Sequence, residues 1–214
     1  MQAWCRGHGL HALVQQGPFT HRAASKPRAY ADDAVVQHEA PRMLSVASGH
    51  CRELQGSLVQ HPGFAGEFMA LDQDALSCAE VAACHPGSPV TVINHGVRAL
   101  TTGPLADYLG HFDLIYSAGL YDYLPDGLAR RVTRRLLQML RPGGRLLIAN
   151  FVPGGTGRGY MELFMDWTLI LRNEAALRAL AEASGAGTVV SFHDPHRNVV
   201  YAELQCERPT LPTQ

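Results

Sequence analysis

No apolar run in this chain approaches the roughly 18 consecutive residues needed to cross a bilayer, which predicts a soluble protein with no membrane partner. Cysteine is scarce and scattered. Cys5, Cys51, Cys78, Cys84 and Cys206 are odd in number and never spaced as Cys-x-x-Cys, the pattern of neither a disulfide framework nor a zinc site. No metal is therefore expected, and a reducing cytoplasm fits. Excess charge is also missing: a net charge of -1 offers no general attraction for nucleic acid or an anionic surface. There is no repeat period and no low-complexity tract. The first 17 residues lack the charged and continuously apolar regions of a signal peptide, so nothing in them predicts export. What is present, 46% hydrophobic and 17% charged residues over 214 positions, suits one compact domain that binds a small molecule.

The stretch Met43 to Glu53, MLSVASGHCRE, reads as an apolar strand, a turn of small residues and the opening of a helix. Small residues there let a ligand approach the backbone. About 20 residues on, the strand 67 to 71 ends at Asp72, where a carboxylate can accept hydrogen bonds from both hydroxyls of a ribose. Loop and acid together predict a nucleoside-containing cofactor. Gln73 and Asp74 compete to cap the helix that follows, which leaves Asp72 free for the ribose.

Further strands are expected at 43 to 47, 90 to 94, 112 to 116 and 145 to 150, each apolar enough to be covered on both faces. Helices are expected at 74 to 84 and at 125 to 140, where Leu128, Val132, Leu136 and Leu140 recur every four residues. Arg141-Pro-Gly-Gly144 then stops the helix. Alternating strands and helices imply a parallel sheet with right-handed crossovers. After a helix over 173 to 183, the β-rich runs 188 to 192 and 199 to 204 are separated by too few residues for a crossover, so they form an antiparallel hairpin. The predicted fold class is α/β: a Rossmann-like, doubly wound, seven-stranded sheet, mostly parallel, with an antiparallel C-terminal hairpin strand and helices on both faces. Residues 1 to 40 are read as an N-terminal extension and lid over the site, 41 to 207 as the core and 208 to 214 as a tail. Residues 1 to 17 have no strong period, and a homodimer contact is one role open to them.

With these residues in view the sequence resembles class I S-adenosylmethionine-dependent methyltransferases over about residues 18 to 205. KPRAYADDAV (26 to 35), LSVASGHCRE (44 to 53) and FDLIYSAGLYDYLPD (112 to 126), continued by RPGGRLLIANF (141 to 151), are similar to bacterial methyltransferases assigned to making 3-hydroxypalmitic acid methyl ester, an extracellular factor. The family's Gly-x-Gly-x-Gly loop stands here as Ala47-Ser48-Gly49-His50-Cys51, with only its middle glycine kept.

The resemblance implies S-adenosylmethionine as cofactor and S-adenosylhomocysteine as product. Ala47, Ser48 and Gly49 would face the methionyl part, Asp72 the ribose and Val97 the adenine, with Gln73 a further cofactor-binding residue; Ser117 and Ala118 would lie beside the transferring methyl. Tyr30, with Arg28, Asp32 and Asp33, belongs to the expected lid. Tyr121 and Asp122 follow on the loop, with core packing an equal reading for the tyrosine. In the segment 158 to 172, Arg158 and Arg172 are donor forks able to grip a carboxylate. The favoured acceptor is the carboxylate of a hydroxy fatty acid or similar partly apolar acid, already anionic at pH 7 and needing no base. A phenol or amine would need one, with Asp122, Asp166 or Tyr121 as candidates. The alternatives are an N-, O- or C-methyltransferase of another natural-product pathway, and a non-catalytic cofactor-binding or regulatory domain. A nicotinamide-dependent oxidoreductase is disfavoured, because Ala47 and Arg52 occupy glycine positions of its loop.

Overall fold

The computed structural model describes residues 18 to 154 and 168 to 206, with side chains from Ser25 onward. Five strands run parallel: β1 (Arg42–Val46), β2 (Glu67–Asp72), β3 (Val90–Asn94), β4 (Phe112–Ser117) and β5 (Leu140–Phe151). The hairpin β6 (Thr188–His193) and β7 (Val199–Gln205) completes one seven-stranded sheet of order β3-β2-β1-β4-β5-β7-β6. Strand β7 inserts antiparallel between β5 and β6. This is the fold class expected from the alternation of apolar runs.

The strands are buried on alternating sides. Leu44, Val46, Ile115, Ile148 and Val200 pack with Val132 and Leu136 of α5 (Asp126–Gln138) and Leu177 of α6 (Glu174–Glu182). Met43, Phe68, Leu114, Tyr116, Leu147 and Tyr201 face the other way, toward Ala31 and Ala34 of α1 (Pro18–Gln37) and toward Leu54 and Val59. The chain leaves β1 for β2 on one side while β4 pairs with β1 on the other. A reversal of this kind opens a crevice at the carboxyl ends of the strands. Register keeps that rim level: Val46 lies opposite Leu71, Ser45 opposite Tyr116, and Ser117 opposite Ile148.

Two local expectations are corrected, and one stretch left without an assigned element gains one. Residues 18 to 37, part of the expected lid, form a single helix that contains Pro27. Proline costs a free helix about 3 kcal/mol, so tertiary packing overrides propensity here. The packed face is Pro27, Ala31 and Ala34, at helical spacing but too small to signal a hydrophobic stripe. No long helix follows β1. The chain instead makes two short 3-10 turns, Arg52–Leu54 and Leu58–Gln60, and α1 holds them. Arg28 donates to the Gln55 carbonyl at 3.0 Å, and Asp32 accepts from the Ser57 hydroxyl at 2.6 Å and the Leu58 N–H at 2.7 Å. Finally, Leu140 already pairs with Phe112, so the Arg141 to Gly144 turn is an irregularity inside β5 rather than its approach. Gly144 is required there: a Cβ would stand 2.8 Å from the Phe112 carbonyl oxygen.

Between the strands lie α2 (Ala75–Cys84), α3 (Arg98–Thr102) and α4 (Leu105–Leu109). Among the described residues no helix is long and apolar enough to cross a membrane.

Candidate cofactor and acceptor site

The loop after β1 turns back sharply because three of its five residues are left-handed: Ala47 at φ 55°, Gly49 at 53° and Cys51 at 47°. Two are not glycine, the residue that adopts this region without penalty. Backbone ties hold the conformation. The Ser48 N–H donates to the Leu71 carbonyl at 3.1 Å, and the Cys51 N–H to the Ser48 carbonyl at 3.0 Å. The Gly49 N–H donates to Asp72 Oδ2 at 2.8 Å.

Asp72 is thus placed by the loop as well as by β2. Its other oxygen, Oδ1, accepts the Asp74 N–H at 2.8 Å. Helix capping falls to Asp74, whose carboxylate accepts the Ser77 N–H at 3.0 Å and the Ser77 hydroxyl at 2.7 Å. Each Asp72 oxygen therefore retains acceptor capacity for a hydroxyl. A Cβ built on Gly49 would meet nothing within 4 Å, so the space over the loop is open. A carboxylate with spare lone pairs beside open backbone fits a ribose and the chain attached to it.

Neighbouring strand ends complete this rim. Gln73 is exposed and reaches toward Gly96, whose notional Cβ lies 3.5 Å from Gln73 Oε1. Val97 is half-buried immediately before α3. Ser117 donates its hydroxyl to the Val46 carbonyl at 2.9 Å, tying the end of β4 to the loop's entry, and Ala118 follows half-buried. Ala47, Ser48, Gly49, Asp72, Gln73, Val97, Ser117 and Ala118 all follow or end parallel strands β1 to β4 at the carboxyl end of the sheet.

Tyr30 does not join them. Its hydroxyl donates to Glu203 of β7 at 2.5 Å, its ring stacks with Phe192, and the Arg145 guanidinium lies 5.3 Å from its centroid. Burial and the neighbouring Glu203 carboxylate push its phenol above the usual range. The expected cofactor contact is replaced by a staple between α1 and the C-terminal hairpin. Asp33 of the expected lid is also held there, by Arg145 at 2.6 Å.

At the ends of β4 and β5 the geometry is of another kind. Arg172 is 4% exposed, and all five of its donors are engaged. They reach the Tyr121 carbonyl at 2.7 Å, Asn150 Oδ1 at 2.8 Å, the Leu124 carbonyl at 2.7 Å, and Asp126 Oδ1 from Nε at 3.1 Å and from NH2 at 2.6 Å. The expected grip on an acceptor carboxylate therefore has no donor left. Tyr121 is fully buried and its hydroxyl pairs with Thr133 at 2.7 Å, so it points into the core rather than serving as a base.

Asp122 Oδ1 accepts both the Asn150 amide and the Phe151 N–H at 2.8 Å. Burial raises its carboxyl to about 7, against the lowering influence of the Phe151 N–H and Arg172. Arg158 and Asp166 lie outside the described residues. Among the described residues no group of three or more histidine, cysteine, aspartate or glutamate side chains could hold a metal ion.

Several site-shaping residues escaped the sequence reading. Glu53 is buried beneath the loop and accepts the Tyr116 hydroxyl at 2.5 Å, linking the loop's exit to β4; burial raises its carboxyl. Asn150 joins Asp122 to Arg172. The available signal was a lone polar residue in an apolar strand, LLIANF.

No family model and no curated protein matches the chain. Solved structures do. The mitomycin 7-O-methyltransferase MmcR matches at TM-score 0.69 and 18% identity, over 92% of this chain and 57% of that one. A methyltransferase of calicheamicin biosynthesis, bound to S-adenosylhomocysteine, matches at TM-score 0.66 and 21% identity, over 96% and 60%. The fold is that of S-adenosylmethionine-dependent methyltransferases. The 1,6-didemethyltoxoflavin-N1-methyltransferase of Burkholderia thailandensis shares this methyltransferase fold at TM-score 0.61 and 20% identity, over 88% of this chain and 80% of its own. The chain spans less than two thirds of the first two neighbours, and at these identities the likeness is one of fold.

Proposed function

We propose that this protein transfers a methyl group from S-adenosylmethionine to a small-molecule acceptor. The observation that carries the reading is Asp72 at the end of β2, holding the Gly49 N–H of the left-handed loop while each oxygen keeps a lone pair for a ribose hydroxyl. Bound S-adenosylmethionine supplies a methyl group activated by its sulfonium. The chain's part is to align and to exclude water. Asp72 and Gln73 anchor the ribose, residues 47 to 49 face the methionyl end, Val97 borders the adenine, and Ser117 and Ala118 lie beside the methyl.

The acceptor we favour is a hydroxyl or N–H of a natural-product-like molecule. Arg172 offers no donor to a carboxylate, whereas Asp122 is a buried carboxyl held by one oxygen at the β4 and β5 ends. As a general base, Asp122 would take the acceptor's proton while the acceptor's lone pair displaces the methyl from sulfur. Neighbours named for 7-O- and N1-methylation share the fold. A 3-hydroxy fatty acid carboxylate, the acceptor implied by the three sequence stretches, would rest on Arg158. A cytoplasmic location belongs to the same reading.

Calorimetry with S-adenosylhomocysteine on the intact protein and on Asp72→Ala tests the cofactor; no binding to the folded intact protein moves the chain to the non-catalytic class. Acceptor screening by methyl transfer follows. With Asp122 as base, the rate climbs with pH through about 7 and Asp122→Asn abolishes that limb. A carboxylate acceptor leaves the profile flat there.

A further inference from the structure

We infer that Glu80 is a positioning residue for the methionine end of the cofactor, acting through His50. This rests on the cofactor reading above. A loop that keeps one glycine at three left-handed positions persists only where its surroundings over-determine it. The ties already described act on the backbone: Ser48 and Gly49 are held by the end of β2, and Cys51 by Ser48 within the loop. His50 stands between Gly49 and Cys51, and its side chain ties the loop to α2. It is 10% exposed, with Nε2 2.9 Å from Glu80 Oε2.

Glu80 sits in α2, the helix whose start Asp74 caps directly after Asp72. The loop is thus gripped twice by one continuous segment: the Gly49 N–H by Asp72 and the His50 side chain by Glu80, eight residues later in the chain. That closed ring holds the left-handed turn at Gly49 and Cys51 in place before a ligand arrives, which lowers the ordering cost of binding. Only the part of the ligand lying against residues 47 to 49 depends on it. The ribose, held by Asp72, does not.

The test compares two probes, S-adenosylhomocysteine and 5′-methylthioadenosine, which share the adenosine but differ in the amino-acid end. Glu80→Ala is expected to weaken S-adenosylhomocysteine about fivefold, the scale of one part-exposed hydrogen bond, and to leave 5′-methylthioadenosine unchanged. Glu80→Gln, which keeps an acceptor for the imidazole N–H, is expected to bind S-adenosylhomocysteine within about twofold of the parent. Glu80 is 52% exposed, so both variants fold. Equal weakening of both probes, or none of either while the parent binds both, overturns the positioning role and leaves the cofactor reading intact. A folded parent that binds neither probe overturns both.

Discussion

The two rims of the crevice are built on opposite principles. On the β1 and β2 side, polar groups are half-exposed and held mostly through the backbone: Gly49 by Asp72, Ser48 by Leu71 and Asp74 by Asp72. On the β4 and β5 side, Asp122, Asn150 and Arg172 are 2%, 1% and 4% exposed and bonded to one another or to buried carbonyls. The first rim keeps acceptor capacity for a ligand, while the second uses every donor of Arg172 to brace the fold and leaves only the second oxygen of Asp122 uncommitted. Charged residues of the same sequence prominence therefore do different work. Substitutions on the first rim should read out in binding, at Arg172 in stability, and at Asp122 in the pH dependence of both rate and stability.

The sharpest way to break that contrast is Arg172→Ala. Removing it leaves three buried acceptors unpaired, while the exposed Asp126 stays solvated, and we expect a loss of about 3 to 5 kcal/mol in urea unfolding. A variant of parental stability that has lost only acceptor affinity would return Arg172 to the role of a substrate grip. Second, Asp122 binds its proton more tightly folded than unfolded. Its contribution is complete below about pH 4 and is lost as pH rises through about 7, so the parent weakens over that interval by on the order of 4 kcal/mol. Asp122→Asn should flatten this slope.

Asp72→Ala belongs to the other rim. We expect S-adenosylhomocysteine to bind about 100-fold more weakly, the worth of two hydrogen bonds to a charged group, as measured by calorimetry. Unchanged affinity would leave the rim without its anchor. Tyr30→Phe should cost about 1 kcal/mol of stability with cofactor affinity unaltered, because its hydroxyl serves Glu203 and not the loop. The smallest effect is Ala47→Gly. Relief of a left-handed alanine, about 1 to 2 kcal/mol, outweighs the entropy that glycine adds to the unfolded chain, for a net gain of about 0.5 kcal/mol in the same assay.

How much was legible differs between these rims for a physical reason. The place of Asp72 at a strand end about 20 residues after a small-residue turn could be read, and the cap of α2 could be narrowed to Gln73 or Asp74, of which the structure chooses Asp74. Arg172 could not: its partners lie at 121, 124, 126 and 150, as far as 51 positions away, and only the folded chain shows them taking every donor. Tyr30 was misplaced for the same cause, since its partner Glu203 is 173 residues distant.

The sequence by itself determined the alternating strands, the parallel core and the final hairpin. Side-chain period, turn residues and connector length are local properties that act wherever the segment sits. Tertiary structure alone decided that Pro18–Gln37 is a helix, that two 3-10 turns follow β1, and that Ala47 and Cys51 stay left-handed. Each of these defies local propensity and is held by distant packing or hydrogen bonds. It decided, too, which polar groups remain open to a ligand, because donors and acceptors are engaged or left over only once every long-range partner is in place.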